Sequence, residues 1–395
     1  HVELTSKAAE FVHAVVTQAV GQRVDGEEAE PNGEWKLANR ADLSKPLTGR
    51  VNANNESDYF VFGLDELGAD RLLGLRVDSQ PGGQAMEFCL RTGEGRPAQC
   101  RRGNTPIELP DLVLTAGDWG LSVTRARANL GYQITLTEQG PIAVDIEAEP
   151  NDVIEFASSV PANNRIKGRF SGADDDFFRF DVAGEPQLWR FQVIGDDIHE
   201  VVYHDGAGKP GATIRPERGQ KRVRLDNVFL MPGQHFLRVS GRDGGRYTML
   251  ARAIGPPDPN GEREPNDEES RMQRLAIGQT RTGLLADPAD VDRYRFFLAN
   301  WDHVRLTVGP AADGAIDSQL LWYGAPLAAG ASGSPGKPMS LSGLLPPGDY
   351  QLVLRAKKAS EAEYRLSLER LPRFACPDGC APGRLPDCLP PSVCC

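Results

Sequence analysis

Hydrophobic and polar positions alternate with a period of two through most of this chain. Tyr59 and Val61 alternate with Phe60 and Phe62, Arg293 and Arg295 with Tyr294 and Phe296, and Gln351 and Val353 with Leu352 and Leu354. Short alternating runs bounded by Gly, Pro, Asn and Asp predict antiparallel strands. Several such strands in each ~115 residues, with few helical stretches, predict a β-sandwich or jelly roll. The aromatics at every second position are expected to face inward as core, not to form a sugar-stacking platform. One segment departs from this pattern. Phe11, Val12, Val15, Val16, Ala19 and Val20 form a stripe closed by Gly21, which predicts a short amphipathic helix within residues 1–25. It is too short and too polar to cross a membrane. It is expected to pack on the first repeat or to dock a partner chain.

The pattern recurs in three copies. Glu28-Ala29-Glu30-Pro31-Asn32 returns as Glu147-Ala148-Glu149-Pro150-Asn151 and as Glu262-Arg263-Glu264-Pro265-Asn266, with prolines 119 and 115 residues apart. That spacing is a domain's length, so an array of self-contained modules is expected in place of a solenoid. Four landmarks follow each phrase in one order. A glycine comes first: Gly49, Gly168 and Gly283. An acidic knot then leads into an aromatic strand at Asp58, Asp176 and Asp292. Near the end a turn glycine opens a strand at Gly117, Gly233 and Gly348, and a closing strand begins at Tyr132, Tyr247 and Tyr364. The organisation read from this is a docking segment at 1–25, sandwiches at 26–139, 140–255 and 256–371, and a cysteine-rich tail at 372–395. The fold class is all-β, three tandem antiparallel jelly-roll-like sandwiches.

The chain has 395 residues and a net charge of −11. An acidic surface disfavours nucleic acid or an anionic membrane as partner, since both select basic patches. No apolar run reaches the roughly 18 residues of a membrane span. Cys89 and Cys100 flank a glycine-rich turn and are expected to bridge a hairpin. Cys376, Cys380, Cys388, Cys394 and Cys395 crowd the tail and read as a small disulfide knot in an oxidising compartment. Zinc is the alternative, but the spacings lack CxxC pairs. The odd total leaves one thiol over, for a longer tail or another chain.

Together, the Glu-x-Glu-Pro-Asn phrase, the glycine strand, the Asp before an aromatic strand and the closing Pro-Gly-x-Tyr-x-Leu motif resemble the bacterial pre-peptidase C-terminal domain. The resemblance covers 26–371 as three copies. It implies a jelly-roll sandwich of the kind appended to secreted proteases and other exported proteins. In some members, notably clostridial collagen-binding domains, the opening acids and the later aspartates bind calcium. Elementary chemistry allows the same here, because calcium takes 6–8 hard oxygens in loose geometry. The third copy offers Glu262, Glu264, Asn266, Asp267, Asp287, Asp290 and Asp292, and the second offers Glu147, Glu149, Asn151, Asp152, Asp174 and Asp176. The first copy is the weaker candidate, because Gly33 and Glu56 interrupt its acids. The competing reading is a turn with solvated acids.

Catalytic motifs are missing. The chain has no HExxH, no GxSxG, no P-loop and no GxGxxG ahead of a helix. His199 and His204 lie five apart on a strand and so point to opposite faces. The expected function is a non-catalytic, extracytoplasmic, calcium-capable binding protein that contacts protein or polysaccharide. One alternative is a structural subunit of a cell-envelope or extracellular assembly, docked through the helix and the tail. Another is the accessory region of a secreted protease.

Overall fold

The computed structural model describes residues 26–54, 56–65, 71–172, 175–331 and 334–372. The expected helix at 1–25, the cysteine knot and Asp174 lie outside the described residues. Strands dominate the rest, joined by turns and loops, and the helical pieces among the described residues are three three-residue 3-10 turns, Trp35–Leu37, Ile154–Phe156 and Glu269–Arg271.

Module one contains β1 (Asn39–Arg40), β2 (Leu47–Val51), β3 (Asp58–Leu64), β4 (Arg71–Gln80), β5 (Ala85–Thr92), β6 (Pro97–Asn104), β7 (Ile107–Leu112), β8 (Gly117–Thr124) and β9 (Leu130–Pro141). Module two repeats them as β10 (Ser158–Ser159), β11 (Arg165–Arg169), β12 (Asp175–Val182), β13 (Gln187–Gly195), β14 (Ile198–His204), β15 (Pro210–Ile214), β16 (Arg222–Leu230), β17 (Gly233–Gly241) and β18 (Arg246–Gly255). Module three repeats them as β19 (Gln273–Arg274), β20 (Thr280–Gly283), β21 (Val291–Leu298), β22 (Asp302–Gly309), β23 (Ala315–Trp322), β24 (Ala325–Ala331), β25 (Met339–Leu345), β26 (Gly348–Lys358) and β27 (Tyr364–Arg370).

Each module is two sheets. In module one a five-stranded sheet runs β1-β3-β8-β5-β6 and a four-stranded sheet runs β2-β9-β4-β7, and the same orders recur in the other two modules. Pairing is antiparallel except at the two-residue edge strands β1, β10 and β19, which run parallel to β3, β12 and β21. The alternation read from the sequence points inward as expected. Phe60 and Phe62, Phe178 and Phe180, and Tyr294 and Phe296 are all buried between the sheets. Burying a side chain of that size is worth about 1.5–3 kcal/mol, so each copy holds a core of its own. Cys89 and Cys100 are direct cross-strand partners on β5 and β6 and form a disulfide.

Successive modules are also joined by backbone. Asp111 on β7 and Asn227 on β16 sit at left-handed φ of 60° and 51°. Each is the extra residue of a bulge: two residues lie between Leu109 and Leu112, and between Leu225 and Val228, opposite one on the neighbouring strand. The bulge turns a carbonyl outward to the next module's acidic phrase. Glu149 N–H donates to Asp111 O at 3.0 Å and Val113 N–H to Glu149 O at 2.7 Å. Glu264 N–H donates to Asn227 O, and Phe229 N–H to Glu264 O, both at 2.9 Å.

Candidate metal centre

The acidic phrase crosses the end of each sandwich in extended form, and its X-Pro peptide is cis in all three copies. Its middle residue is held by the first edge strand. Asn39 both accepts from Ala29 N–H (2.6 Å) and donates to Ala29 O (2.9 Å), and Ser158 and Gln273 bind Ala148 and Arg263 in the same place. With the middle residue turned to the strand, the flanking glutamates turn the other way. There they meet the aspartate that opens the next long strand. Carboxylate oxygens of Glu28, Glu30 and Asp58 lie within 4.8 Å of one another, as do those of Glu147, Glu149 and Asp176, and those of Glu262, Glu264 and Asp292.

A tyrosine closes each cluster. Tyr132 OH lies 2.9 Å from Glu28 Oε2 and 2.6 Å from Asp58 Oδ2. Tyr247 OH lies 2.7 Å from Glu147 Oε2 and also bonds Asp176. Tyr364 OH lies 2.7 Å from Asp292 Oδ2, 3.3 Å from Glu262 Oε2 and 2.6 Å from Tyr294 OH. A hydroxyl has one proton, so it can donate to only one of its two carboxylates. With one proton for two carboxylates, the tyrosine alone leaves a deficit when those acids are ionised.

Burial sharpens that deficit. Asp58, Asp176 and Asp292 are fully buried, and so are Asn32, Asn151 and Asn266. Burial pushes Asp58 up to about 7, against its Tyr132 hydrogen bond and with added repulsion from Glu28. Burial likewise moves Asp292 up to about 6. Glu262, Glu264 and Asp290 are held well above the usual carboxylate range, by burial first. For Glu262 and Asp290 the charge of Asp292 is the next cause, and for Glu264 that of Asp267. A buried carboxylate group in this position either keeps protons or takes a cation.

The donor set fits a hard cation. All three clusters offer carboxylate oxygen, with no thiolate or imidazole among their members. The amide oxygen and nitrogen of Asn32 and Asn151 are buried without a hydrogen-bond partner, as are Asp58 Oδ1 and Glu264 Oε1. Asn266 occupies the matching place and touches the cluster, with Nδ2 3.1 Å from Asp292 Oδ1. Buried polar atoms in native proteins are normally paired, and the oxygens among these have lone pairs that a hard cation could use. The second oxygens of Glu30, Glu149 and Glu264 are already used, each accepting from the asparagine N–H two residues on.

Most of the residues expected in module three converge here. Asp267 sits at the rim, accepting weakly from Val291 N–H (3.4 Å), and is pushed up to about 7 by burial and then by Asp292. Asp287 is elsewhere. It accepts from Arg224 N–H (3.1 Å) and Gln220 Nε2 (2.9 Å) of module two, so it belongs to the joint between modules. In module two Glu147, Glu149, Asn151 and Asp176 assemble, while Asp152 borders an outer cleft with Phe177 and Phe236. Module one assembles the same cluster from Glu28, Glu30 and Asp58, despite Gly33 and Glu56. The three tyrosines were visible in the sequence only as strand markers. Their fixed phase relative to the acids was the available signal.

The recurrent glycine now has a reason. Gly49, Gly168 and Gly283 lie directly opposite Tyr132, Tyr247 and Tyr364. A Cβ on any of them would run into the tyrosine ring and the first glutamate. Gly49→Ala is therefore expected to destabilise module one by about 1–3 kcal/mol. Gly103→Ala, where a Cβ meets open space, serves as the control. Equal denaturant midpoints for the two variants would remove this explanation.

No family model matches the chain, and no curated protein matches it. Among solved structures, a protein described as a beta-galactosidase from Bacteroides fragilis aligns at 11% identity over 53% of this chain and 29% of its own, with a TM-score of 0.16. The arabinofuranosyltransferase AftD from Mycobacteria aligns at 10% identity over 85% of this chain and 34% of its own, with a TM-score of 0.17. The chain thus spans about a third of the length of these structures or less. Likeness at this level carries no argument about function.

Proposed function

We propose that this chain is a non-catalytic, exported binding protein, built from three calcium-binding β-sandwiches of the pre-peptidase C-terminal type. The observation that supports it is the threefold recurrence of one buried carboxylate cluster, each with a buried asparagine beside it. When bound, calcium would neutralise the cluster and replace the protons that the buried carboxylates otherwise keep. Glu147, Glu149, Asn151 and Asp176 would hold it in module two. Glu262, Glu264, Asn266 and Asp292 would do so in module three, with Asp267 and Asp290 beside them, and Glu28, Glu30, Asn32 and Asp58 in module one. The Cys89–Cys100 disulfide supports an oxidising, extracytoplasmic setting. No helix among the described residues is long and apolar enough to cross a membrane. In this reading edge loops or sheet faces contact a protein or polysaccharide. The backbone joints between modules favour a second role as a spacer in a larger assembly.

Titration calorimetry of the chelator-treated chain with calcium tests the reading. Saturable heat is expected in wild type, reduced by one site in each of Asp58→Asn, Asp176→Asn and Asp292→Asn. Absence of heat at millimolar calcium would return these residues to a protonated structural cluster.

A further inference from the structure

We propose that calcium in modules two and three also locks each module to the one before it, so that binding at a site and closure of a joint are one equilibrium. This rests on the calcium reading above and adds a mechanical consequence to it.

The observations concern Glu149 and Glu264. Each carries a cluster carboxylate on its side chain. Each also makes, through its own N–H and C=O, the two backbone hydrogen bonds to the preceding module. Site and joint therefore share one residue. At the second joint the sharing goes further, because Asn227 of module two donates from Nδ2 to Glu262 Oε1 at 3.0 Å. The same Asn227 supplies the carbonyl that receives Glu264 N–H. One left-handed residue thus holds both glutamates of the next module's phrase. Around it, Asp287 accepts from Arg224 N–H and Gln220, and Glu361 pairs with Arg222 (2.7 Å) and Arg224 (3.2 Å) across the same boundary.

Module one supplies the internal comparison. Glu30 occupies the place of Glu149 and Glu264, but among the described residues no preceding module covers it. Glu30 is exposed, whereas Glu149 and Glu264 are 3% and 4% exposed. The preceding module is what buries the second glutamate. A glutamate held by a formed joint is already oriented for a cation, and a bound cation fixes that glutamate for the joint. Linkage makes the two effects equal in size.

The experiment uses the full chain. Hydrogen exchange of segments 227–230 and 262–266 is followed with calcium and with chelator, alongside calorimetry of the same samples. Calcium is expected to slow exchange at both segments by about tenfold or more. Asn227→Gly keeps the left-handed backbone and removes only the side-chain bridge. It is expected to weaken one calcium site by about fivefold or more, the low end of common coupling strengths. Asn129→Gly, also left-handed (φ 60°) but away from the joints, is expected to leave affinity unchanged. Calcium heat with unchanged exchange at the joint, or full affinity in Asn227→Gly, overturns the coupling and leaves the sites standing. Absence of calcium heat overturns both.

Discussion

Saturating calcium is expected to raise the thermal midpoint of the chain by roughly 10 °C over the same protein in chelator. The unfolded chain has no gathered cluster, so calcium acts on the folded state alone. At a hundredfold excess over Kd one site adds about 2.7 kcal/mol, and a domain of this size moves about 4 °C for each kcal/mol. Calorimetric scans should show the shift. Asp176→Asn and Asp292→Asn should each lose the part belonging to their own module. Magnesium should do less, because it demands tighter octahedral geometry and sheds water reluctantly. Coincident scans in calcium and chelator would leave no stabilising site in the fold.

Without calcium, the protein is expected to become more stable on acidification from pH 7.5 to 5.5. Asp58 and Asp267 are raised to about 7 and Asp292 to about 6, with burial the leading cause. Between the ordinary carboxylate range near 4 and about 7, the folded chain holds protons that the unfolded chain has released. Stability therefore falls as pH rises through that window and is regained as pH falls. Asp292 alone, moved from 3.8 to about 6, contributes on the order of 2–3 kcal/mol. Loading calcium reverses the slope, because protons must leave before the cation enters. Chelated and loaded samples should thus diverge above pH 6 and converge near pH 5. Denaturant midpoints across that range decide it. A chelated protein that loses stability on acidification would contradict the burial of these acids.

Alternation of residues such as Phe60 with Val61 was enough to read the strands, because a sandwich core enforces period two locally. The three phrases likewise announced the acids of the site. Other features were hidden because they depend on distant contacts. Asp287 looks like one more acid in the third copy, yet it is taken by Arg224 and Gln220 of the second. The fully buried Asp58 makes the first cluster despite its interrupted neighbours. The role of Tyr247 could not be read locally either, since its partner Glu147 is 100 residues away. Asp111 and Asn227 carry little local signal for a bulge, and their partners Glu149 and Glu264 lie 38 and 37 residues further on.

The bulge also bears on how such a chain can grow. A joint passes to a new copy only when socket and phrase are duplicated together. The third copy lacks the socket. On β25 the ladder opposite β22 runs without a register shift, with the single residue Ser342 between Leu341 and Gly343. Appending a fourth copy by simple duplication would need one residue inserted there. The same regular ladder means that an acidic phrase such as the exposed one at Glu30 finds no matching socket at β25. An open edge strand is a template for runaway assembly, and head-to-tail contacts that do not close build fibres. Without that extra residue, β25 does not present the outward-turned carbonyl by which β7 and β16 hold the next acidic phrase.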